Sequence, residues 1–345
     1  MWTYRKGETM IARTLLLVLV MVMLIPCVAE AAQNESVCTE KEVHFYSGPG
    51  LKLAGILSIP AGTQAGTKKY PAVVLCQGPG GYNNPDLMEM DRLMPAVSTW
   101  LCGEGYVTLR FYYRGVGPSE GPAYRLIPLE QVEDIRNAVT FLQQQKGVDT
   151  ARIGLFGLAT GGANISYTAA VDKRVKCMVS VNGMGDLGRW MREMRRYWEL
   201  LEFNKELEQD RIQRVLTGSS RLVDQSSIIL TDPVTAGHRE EMEKKYPEMT
   251  RNNRMLLSLE SADALAVFQP EKMVHMISPR AAMWICAEHD TLLSPDHSRI
   301  MYANAGEPKQ LVVVQDETHH SLYANEGFAK VMKHAVKWFN AHLDK

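Results

Sequence analysis

The clearest chemical signal in the sequence is a glycine-rich turn between a strand-like run and a helical segment. Gly157 stands two residues before Ala159, and Gly161 stands two residues after it. Small residues at these positions let a strand and a helix pass closely around a strained central residue, as in the G-x-S-x-G turn that exposes a nucleophile. A methyl group can neither attack a carbonyl carbon nor be activated by a base. The sequence therefore predicts the frame of a nucleophilic site without its nucleophile.

The residues around this turn resemble those of a known superfamily. The segment RIGLFGLATGG, residues 152–162, resembles the nucleophile elbow of the α/β-hydrolase superfamily, and within it the dienelactone-hydrolase and Xaa-Pro-dipeptidase-like (S15-like) branch. That resemblance implies serine or cysteine at the position of Ala159. Thr160 is a poor substitute, because its flanking positions are Leu158 and Gly162. An engineered and a natural loss of the nucleophile both stay open.

The resemblance also implies an acid and a histidine, in the chain order nucleophile, acid, histidine that α/β-hydrolases use. Asp290 follows an apolar strand-like run and is the expected acid. His319 lies in the loop after the last predicted strand and is the expected general base. Other candidates stay open: Glu288, Asp296 and Asp186 for the acid, and His320 for the histidine.

A second glycine-rich loop, LCQGPGGY at residues 75–82, follows the third predicted strand. Its glycines allow backbone N–H groups to face a developing oxyanion. Because Pro79 has no N–H, Gly80 is the expected donor, with the Tyr82 hydroxyl as a further candidate. The Thr160 N–H is expected to complete the oxyanion hole. A dinucleotide site is disfavoured, since no G-x-G-x-x-G segment opens a helix after the first strand.

These segments follow apolar runs that alternate with helical patterns. Strands are predicted near residues 71–76, 106–112, 152–156, 175–181, 281–286 and 311–314, and helices near 131–145, 163–170, from 295 and at 327–342. Two further strand patterns, at 43–47 and 52–58, predict an antiparallel hairpin. The alternation predicts an α/β-hydrolase fold, with a mostly parallel central sheet and helices on both faces.

The alternation stops between residues 184 and 279. This segment is rich in Arg, Glu, Met, Leu and Trp and lacks strand patterning, so it is predicted to be a helical cap insertion. The hydrolase core then comprises residues 32–183 and 280–345. Because the insertion directly follows a central strand, it starts at the end of the sheet where ligands of α/β proteins bind. Its plainer interpretation is a set of amphipathic helices that only pack on the core.

The first 31 residues predict a signal peptide. Basic residues precede an apolar run at residues 15–26, and the small-x-small triplet AEA follows at residues 29–31. The run is shorter than the roughly 20 residues that a spanning helix needs. The chain is therefore expected to be secreted or periplasmic, with a membrane anchor formed by this segment as the alternative. Met1 and Met10 are both candidate starts.

Composition excludes several other classes of protein. The formal net charge is -1, from 38 basic and 39 acidic residues. The sequence has no long run of one charge sign, so nothing in it indicates a nucleic-acid partner. No Cys/His cluster has zinc spacing and no Asp-rich loop has calcium spacing. Neither a metal nor an organic cofactor is expected, and the predicted partner is a small-molecule or peptide substrate. The pattern does not determine an oligomeric state.

The sequence thus predicts an exported hydrolase scaffold for an ester or amide bond, in which Asp290 orients His319 and Ala159 occupies the nucleophile position. Two other interpretations stay open. One is a catalytically silent ligand-binding protein that inherited the remnant of the triad. The other is a lyase or isomerase that uses His319 as a base.

Overall fold

The computed structural model describes residues 38–48, 50–61, 69–78, 93–245 and 256–343. The predicted signal peptide lies outside the described residues, and so do Gly80 and Tyr82 of the predicted oxyanion loop. Within the described ranges, no helix combines the length and the apolar character needed to cross a bilayer.

The described strands form one large sheet and one small ladder. In chain order they are β1 (Cys38–Ser47), β2 (Leu51–Pro60), β3 (Tyr70–Cys76), β4 (Val107–Phe111), β5 (Val148–Leu158), β6 (Val175–Val181), β7 (Leu222–Asp224), β8 (Leu256–Ser258), β9 (Ala281–Ala287) and β10 (Lys309–Val314). Eight of them form the central sheet, in the order β1-β2-β4-β3-β5-β6-β9-β10. The pairs β1/β2 and β2/β4 are antiparallel, and the other pairs of this sheet are parallel. The predicted hairpin and mostly parallel sheet are confirmed.

Helices cover both faces of the central sheet. The described α-helices are α1 (Leu93–Gly103), α2 (Pro128–Gln143), α3 (Thr160–Val171), α4 (Leu187–Glu193), α5 (Tyr197–Thr217), α6 (Gln225–Ile228), α7 (Pro233–Lys245), α8 (Glu260–Ala266), α9 (Asp296–Asn304) and α10 (Asn325–Leu343). Helices α1 and α10 pack on one face of the sheet, and α2 and α3 pack on the other.

The core is divided into two layers by the pleat of the strands. On β3, Val74 contributes to the layer beneath α2 and α3, whereas Val73 and Leu75 contribute to the layer beneath α1 and α10. Successive side chains of a strand point to opposite faces, so a strand covered on both faces must be apolar at every position. This is why the central strands read as continuous apolar runs rather than as alternating patterns.

The first helix after the elbow starts earlier than the sequence predicts. The sequence shows a helical pattern only from residue 163, but α3 begins at Thr160. Gly161 and Gly162 are weak helix formers, and their place in the first turn is fixed by packing against neighbouring strands instead. A Cβ on Gly162 would lie 2.6 Å from the Ser180 hydroxyl oxygen on β6.

The segment between β6 and β9 contains α4 to α8, in agreement with the predicted helical character. It is not helical throughout, however, because β7 and β8 pair antiparallel within it. Each of these strands has only three residues, too few for a period-two pattern to stand out. The prediction that this segment contains no strands is therefore wrong.

Candidate functional site

Ala159 occupies a strained turn between β5 and α3. Its backbone has φ 48° and ψ -115°, a combination that costs a non-glycine residue on the order of 1–3 kcal/mol. The flanking glycines allow the turn to be this tight. A Cβ on Gly157 would lie 2.5 Å from the carbonyl oxygen of Gly161, and a Cβ on Gly161 would lie 2.2 Å from that of Cys76. The glycine spacing around residue 159 thus coincides with a tight, strained turn between strand and helix.

Backbone hydrogen bonds hold Ala159 in this conformation from both sides. Its N–H donates to the Val181 carbonyl at the end of β6 (3.0 Å), and its own carbonyl accepts from the Ala163 N–H in the first turn of α3 (3.1 Å). The loop after β3 also approaches the turn, since a Cβ on Gly78 would lie 3.3 Å from the Ala159 methyl carbon. The segment that the sequence assigns to the oxyanion loop therefore begins directly beside the elbow.

Asp290 and His319 are in contact. The Nδ1 atom of His319 lies 2.7 Å from Oδ2 of Asp290, and both residues are buried. The other carboxylate oxygen of Asp290 accepts the backbone N–H groups of Leu292 (3.0 Å) and Leu293 (2.7 Å). A carboxylate held in this way fixes the imidazole tautomer with the proton on Nδ1. Nε2 is then the basic nitrogen, as a general base requires.

Hydrogen bonds connect the carboxyl ends of β6, β9 and β10. Asn182 donates its N–H to the Ile285 carbonyl (2.8 Å), and its side-chain oxygen accepts the Ala287 N–H (3.0 Å). The N–H of Glu288 donates to the Val314 carbonyl (3.0 Å). Since β5, β6, β9 and β10 are parallel neighbours, their carboxyl ends lie along one edge of the sheet. This edge carries Ala159, Asp290 and His319.

The alternative acids have other partners. Asp186 accepts the Arg189 N–H (2.8 Å) as the cap of α4, and it also accepts from the Gln269 amide (2.9 Å). Asp296 forms an exposed ion pair with Arg299. Glu288 accepts the Asp316 N–H (3.2 Å). Among the described contacts, only Asp290 hydrogen-bonds to His319.

His320 contacts α7. Its Nε2 lies 2.9 Å from the Thr235 hydroxyl oxygen. Its ring stacks on His238, with centroids 4.2 Å apart and an interplanar angle of 17°. Burial, followed by the neighbouring His319 and His238, lowers the pKa of His320 to about 4. His320 is therefore neutral at neutral pH and fastens the loop of His319 to α7.

Tyr323 is a contact of His319 that the sequence did not single out. Its ring stands edge-on to the His319 ring, with centroids 5.2 Å apart and an interplanar angle of 88°. Burial, with the negative charge of Asp290, raises the pKa of its hydroxyl far above the usual value. The only sequence signal was its position four residues after His319. Tyr323 packs against one side of the imidazole and limits its rotation.

Thr160 is the first residue of α3, and its side chain is buried (3% exposed). N–H groups in the first turn of a helix have no intrahelical acceptor, and the helix dipole favours negative charge near them. The Thr160 N–H therefore has the local geometry of an oxyanion donor. Its buried hydroxyl is poorly placed to act as a replacement nucleophile. Gly80 and Tyr82, the other predicted donors, lie outside the described residues.

One group among the described residues is compatible with a metal ion. Ligand atoms of Glu288, His289 and Asp316 lie within 4.8 Å of one another. His289 and Asp316 are exposed. Exposed carboxylates of adjacent loops come together in this way without an ion, so the grouping alone does not make this a metal centre.

The fold agrees with comparisons to known proteins. Residues 71–326 match the model of the alpha/beta hydrolase fold family, and the chain belongs to that family. An uncharacterized 31.7 kDa protein of Escherichia coli, from the traX-finO intergenic region, is 28% identical over 297 residues, which cover 85% of this chain and 98% of the relative. The thiohydrolase aneE of Aspergillus aculeatus is 26% identical over 308 residues, 87% of this chain and 92% of the relative.

Two solved structures are similar across nearly the whole fold. A hypothetical protein from Pseudomonas aeruginosa has a TM-score of 0.74 at 23% identity, covering 90% of this chain and 96% of its own. The alpha/beta hydrolase GrgF from a Penicillium species has a TM-score of 0.71 at 21% identity, and the match covers 89% of this chain and 100% of the GrgF chain. At this identity the likeness supports the shared fold.

Proposed function

We propose that this protein is an exported acyl-hydrolase or acyl-transferase scaffold that binds an ester, thioester or amide and lacks only the nucleophilic oxygen. One observation carries the proposal. Ala159 holds the strained elbow conformation, with φ 48°, while the His319–Asp290 pair is intact at 2.7 Å. Strain of this kind is characteristic of functional sites, and an orienting carboxylate behind a histidine belongs to nucleophile activation.

Each residue has a defined part in the chemistry that the scaffold would support. With an oxygen at position 159, that oxygen attacks the substrate carbonyl carbon and transfers its proton to Nε2 of His319. The oxyanion that forms is stabilised by the Thr160 N–H, with Gly80 or Tyr82 as the second donor. His319 returns the proton to the leaving group, and water or an acceptor alcohol then releases the acyl group. With the methyl of Ala159 no acyl-enzyme can form.

The relatives support a small acyl compound as the substrate. Two fungal relatives are named as a thiohydrolase and a polyketide transferase, and these names favour an acyl compound as the substrate of this chain. The dienelactone-hydrolase and Xaa-Pro-dipeptidase-like resemblance adds lactones and peptides to the substrates that need testing. The predicted signal peptide at residues 1–31 supports a secreted or periplasmic location.

Restoring the oxygen tests the proposal. Ala159→Ser is expected to raise kcat/KM on acyl esters and thioesters by about a thousandfold or more, since each member of such a triad is worth that scale. Ala159→Ser/His319→Ala is the matched control and should lose the gain. Substrates should include p-nitrophenyl esters, acyl thioesters and aminoacyl amides. No gain in a folded Ala159→Ser protein would contradict the proposal.

A catalytically silent binding protein is the second candidate, and the Ala159 methyl itself favours it. In that case the parent protein and the Ala159→Ser variant would bind a non-hydrolysable thioester analogue equally well by calorimetry, and neither would turn substrate over. A lyase or isomerase that uses His319 as its base would instead catalyse substrate proton exchange in the parent protein. That exchange would disappear in His319→Ala.

A further inference from the structure

Helix α5 has an apolar stripe on the side that faces solvent. The helix spans 21 residues, and its buried positions are Phe203, Leu207 and Asp210. Six further large apolar side chains of the helix are between 45% and 81% exposed: Tyr197, Trp198, Leu201, Ile212, Val215 and Leu216. On a helix wheel these six project to the side opposite the buried positions. Large apolar side chains exposed at both ends of one helix face indicate an interaction site.

The exposed stripe follows a heptad. Trp198, Leu201, Lys205, Glu208, Ile212 and Val215 succeed one another at alternating spacings of three and four residues. This is the spacing of the a and d positions that form the seam of a coiled coil. The two central positions, Lys205 and Glu208, carry opposite charges and are exposed. Tyr197 and Leu216 extend the stripe at its two ends.

We propose that the exposed stripe of α5 binds the same stripe of a second copy of this chain, with the two helices antiparallel. The stripe is self-complementary about a midpoint between Glu206 and Leu207. In an antiparallel pair, Trp198 lies in one layer with Val215 of the second copy, and Leu201 lies with Ile212 of the second copy. Every apolar position then meets an apolar position.

The charges at the centre select this partner and this direction. In the antiparallel pair, Lys205 meets Glu208 of the second copy, and two-fold symmetry repeats the pair. In a parallel pair, Lys205 would face Lys205 of the second copy and Glu208 would face Glu208 of the second copy, and like charges repel each other. Polar residues at central seam positions are a known device for fixing register and orientation at a cost in stability. Two-fold symmetry also limits the assembly to two copies, because each stripe is then fully occupied by the other.

The size of the surface predicts a reversible dimer. A helix of this length is about 30 Å long, and a single pair of such helices lies at the small end of specific interfaces. Sedimentation analysis of the purified protein, from low to high micromolar concentration, should therefore show a concentration-dependent monomer–dimer equilibrium. A single monomeric species over the whole range would overturn the proposal.

An exposed apolar residue elsewhere provides a matched control. Val215 is 81% exposed on the stripe, and Val267 is 76% exposed outside α5. Val215→Lys is expected to weaken the dimer about tenfold or more, which corresponds to about 1.4 kcal/mol. Val267→Lys should leave it unchanged. Equal effects of the two substitutions would assign the interface to another surface.

A charge exchange tests the antiparallel register. Lys205→Glu alone and Glu208→Lys alone place like charges opposite each other, so each should weaken the dimer. The double variant Lys205→Glu/Glu208→Lys restores opposite charges and should recover it. A dimer dissociation constant that is unchanged in all three variants would overturn the proposal. The proposal would also be overturned if the protein stayed monomeric and bound anionic lipid vesicles through Val215, because the stripe would then be a membrane-binding surface.

Discussion

At the level of single residues, Ala159 has a strained backbone conformation although its side chain is only a methyl group. Ala159 has a positive φ of 48°, although its side chain can do no chemistry with a carbonyl. The conformation is fixed by its neighbours, because Gly157 and Gly161 pack against backbone where any side chain would clash. The strained turn is therefore held by the residues around position 159 and does not depend on the side chain at that position.

Asp290→Asn is expected to reduce kcat/KM by about ten-thousandfold when it is introduced into the Ala159→Ser protein. The amide cannot fix the proton of His319 on Nδ1 as the carboxylate does at 2.7 Å, so Nε2 loses its role as the base. Ester hydrolysis measures the effect. Asp186→Asn is the control, since Asp186 caps α4 instead. Comparable losses in the two variants would contradict the assignment of the acid.

At the scale of elements, the loop after β10 depends on α7 for its position. His320 links the two through Thr235, at 2.9 Å, and through its stacked partner His238. Because the same loop carries His319, α7 also supports the position of His319. Asp232, the residue before α7, accepts the N–H groups of Val234 and Thr235 and fixes the start of that helix.

The free energy of unfolding should fall as the pH is lowered from about 6.5 to 4. An unfolded histidine has a pKa near 6.5, whereas that of His320 is lowered to about 4. Between these values the unfolded chain binds more protons, so acid favours unfolding. At about 1.4 kcal/mol per pKa unit the full shift would correspond to about 3 kcal/mol, and solvent screening of the part-buried ring makes the contribution of His320 smaller than this. Chemical denaturation at a series of pH values measures it.

His320→Gln is the control for this pH dependence. Glutamine can still bind the Thr235 hydroxyl, but it does not titrate, so the slope between pH 6.5 and 4 should become shallower. Part of the slope should persist, because burial also lowers the pKa of His297 to about 4. Identical slopes for the parent protein and His320→Gln would show that the imidazole of His320 is protonated as easily as in the unfolded chain.

At the scale of the whole molecule, a buried ion pair joins the hairpin, the loop after β4 and helix α2. The Arg114 guanidinium lies 2.7 Å from Asp134, whose side chain is fully buried. Asp134 also accepts the Arg114 N–H (3.0 Å) and the Ser47 hydroxyl at the end of β1 (2.6 Å). Arg114 lies in the loop after β4, which contains Gly115, Gly117 and Gly121, and this loop therefore connects parts of the fold.

Asp134→Ala should lower the free energy of unfolding by about 3–5 kcal/mol, because it leaves the Arg114 charge buried without its main partner. Urea denaturation followed by circular dichroism measures the change. The control is Asp296→Ala, which removes an exposed ion pair with Arg299 and should cost at most about 1 kcal/mol. Similar losses for the two variants would mean that water reaches the Arg114 site.

Several parts of this protein follow from local patterns along the chain. Continuous apolar runs between helical segments predicted the sheet, and the small residues around position 159 predicted the elbow. The order of elbow, acid and histidine along the chain predicted the family. The apolar runs and the glycine spacing can be recognised because each lies within one short segment, and the chain order can be recognised because it needs no knowledge of distances in space.

Which side chains meet depends on how the elements pack in three dimensions. Asp186, Glu288 and Asp290 all follow strands that end at the same edge, and their side-chain directions depend on caps and neighbouring loops. The same holds for His319 and His320, which are adjacent in sequence but point to Asp290 and to α7 respectively. Helix α5 has apolar residues on two sides, and only packing determined which side is buried. Such choices depend on residues far apart in the chain, which no local pattern encodes.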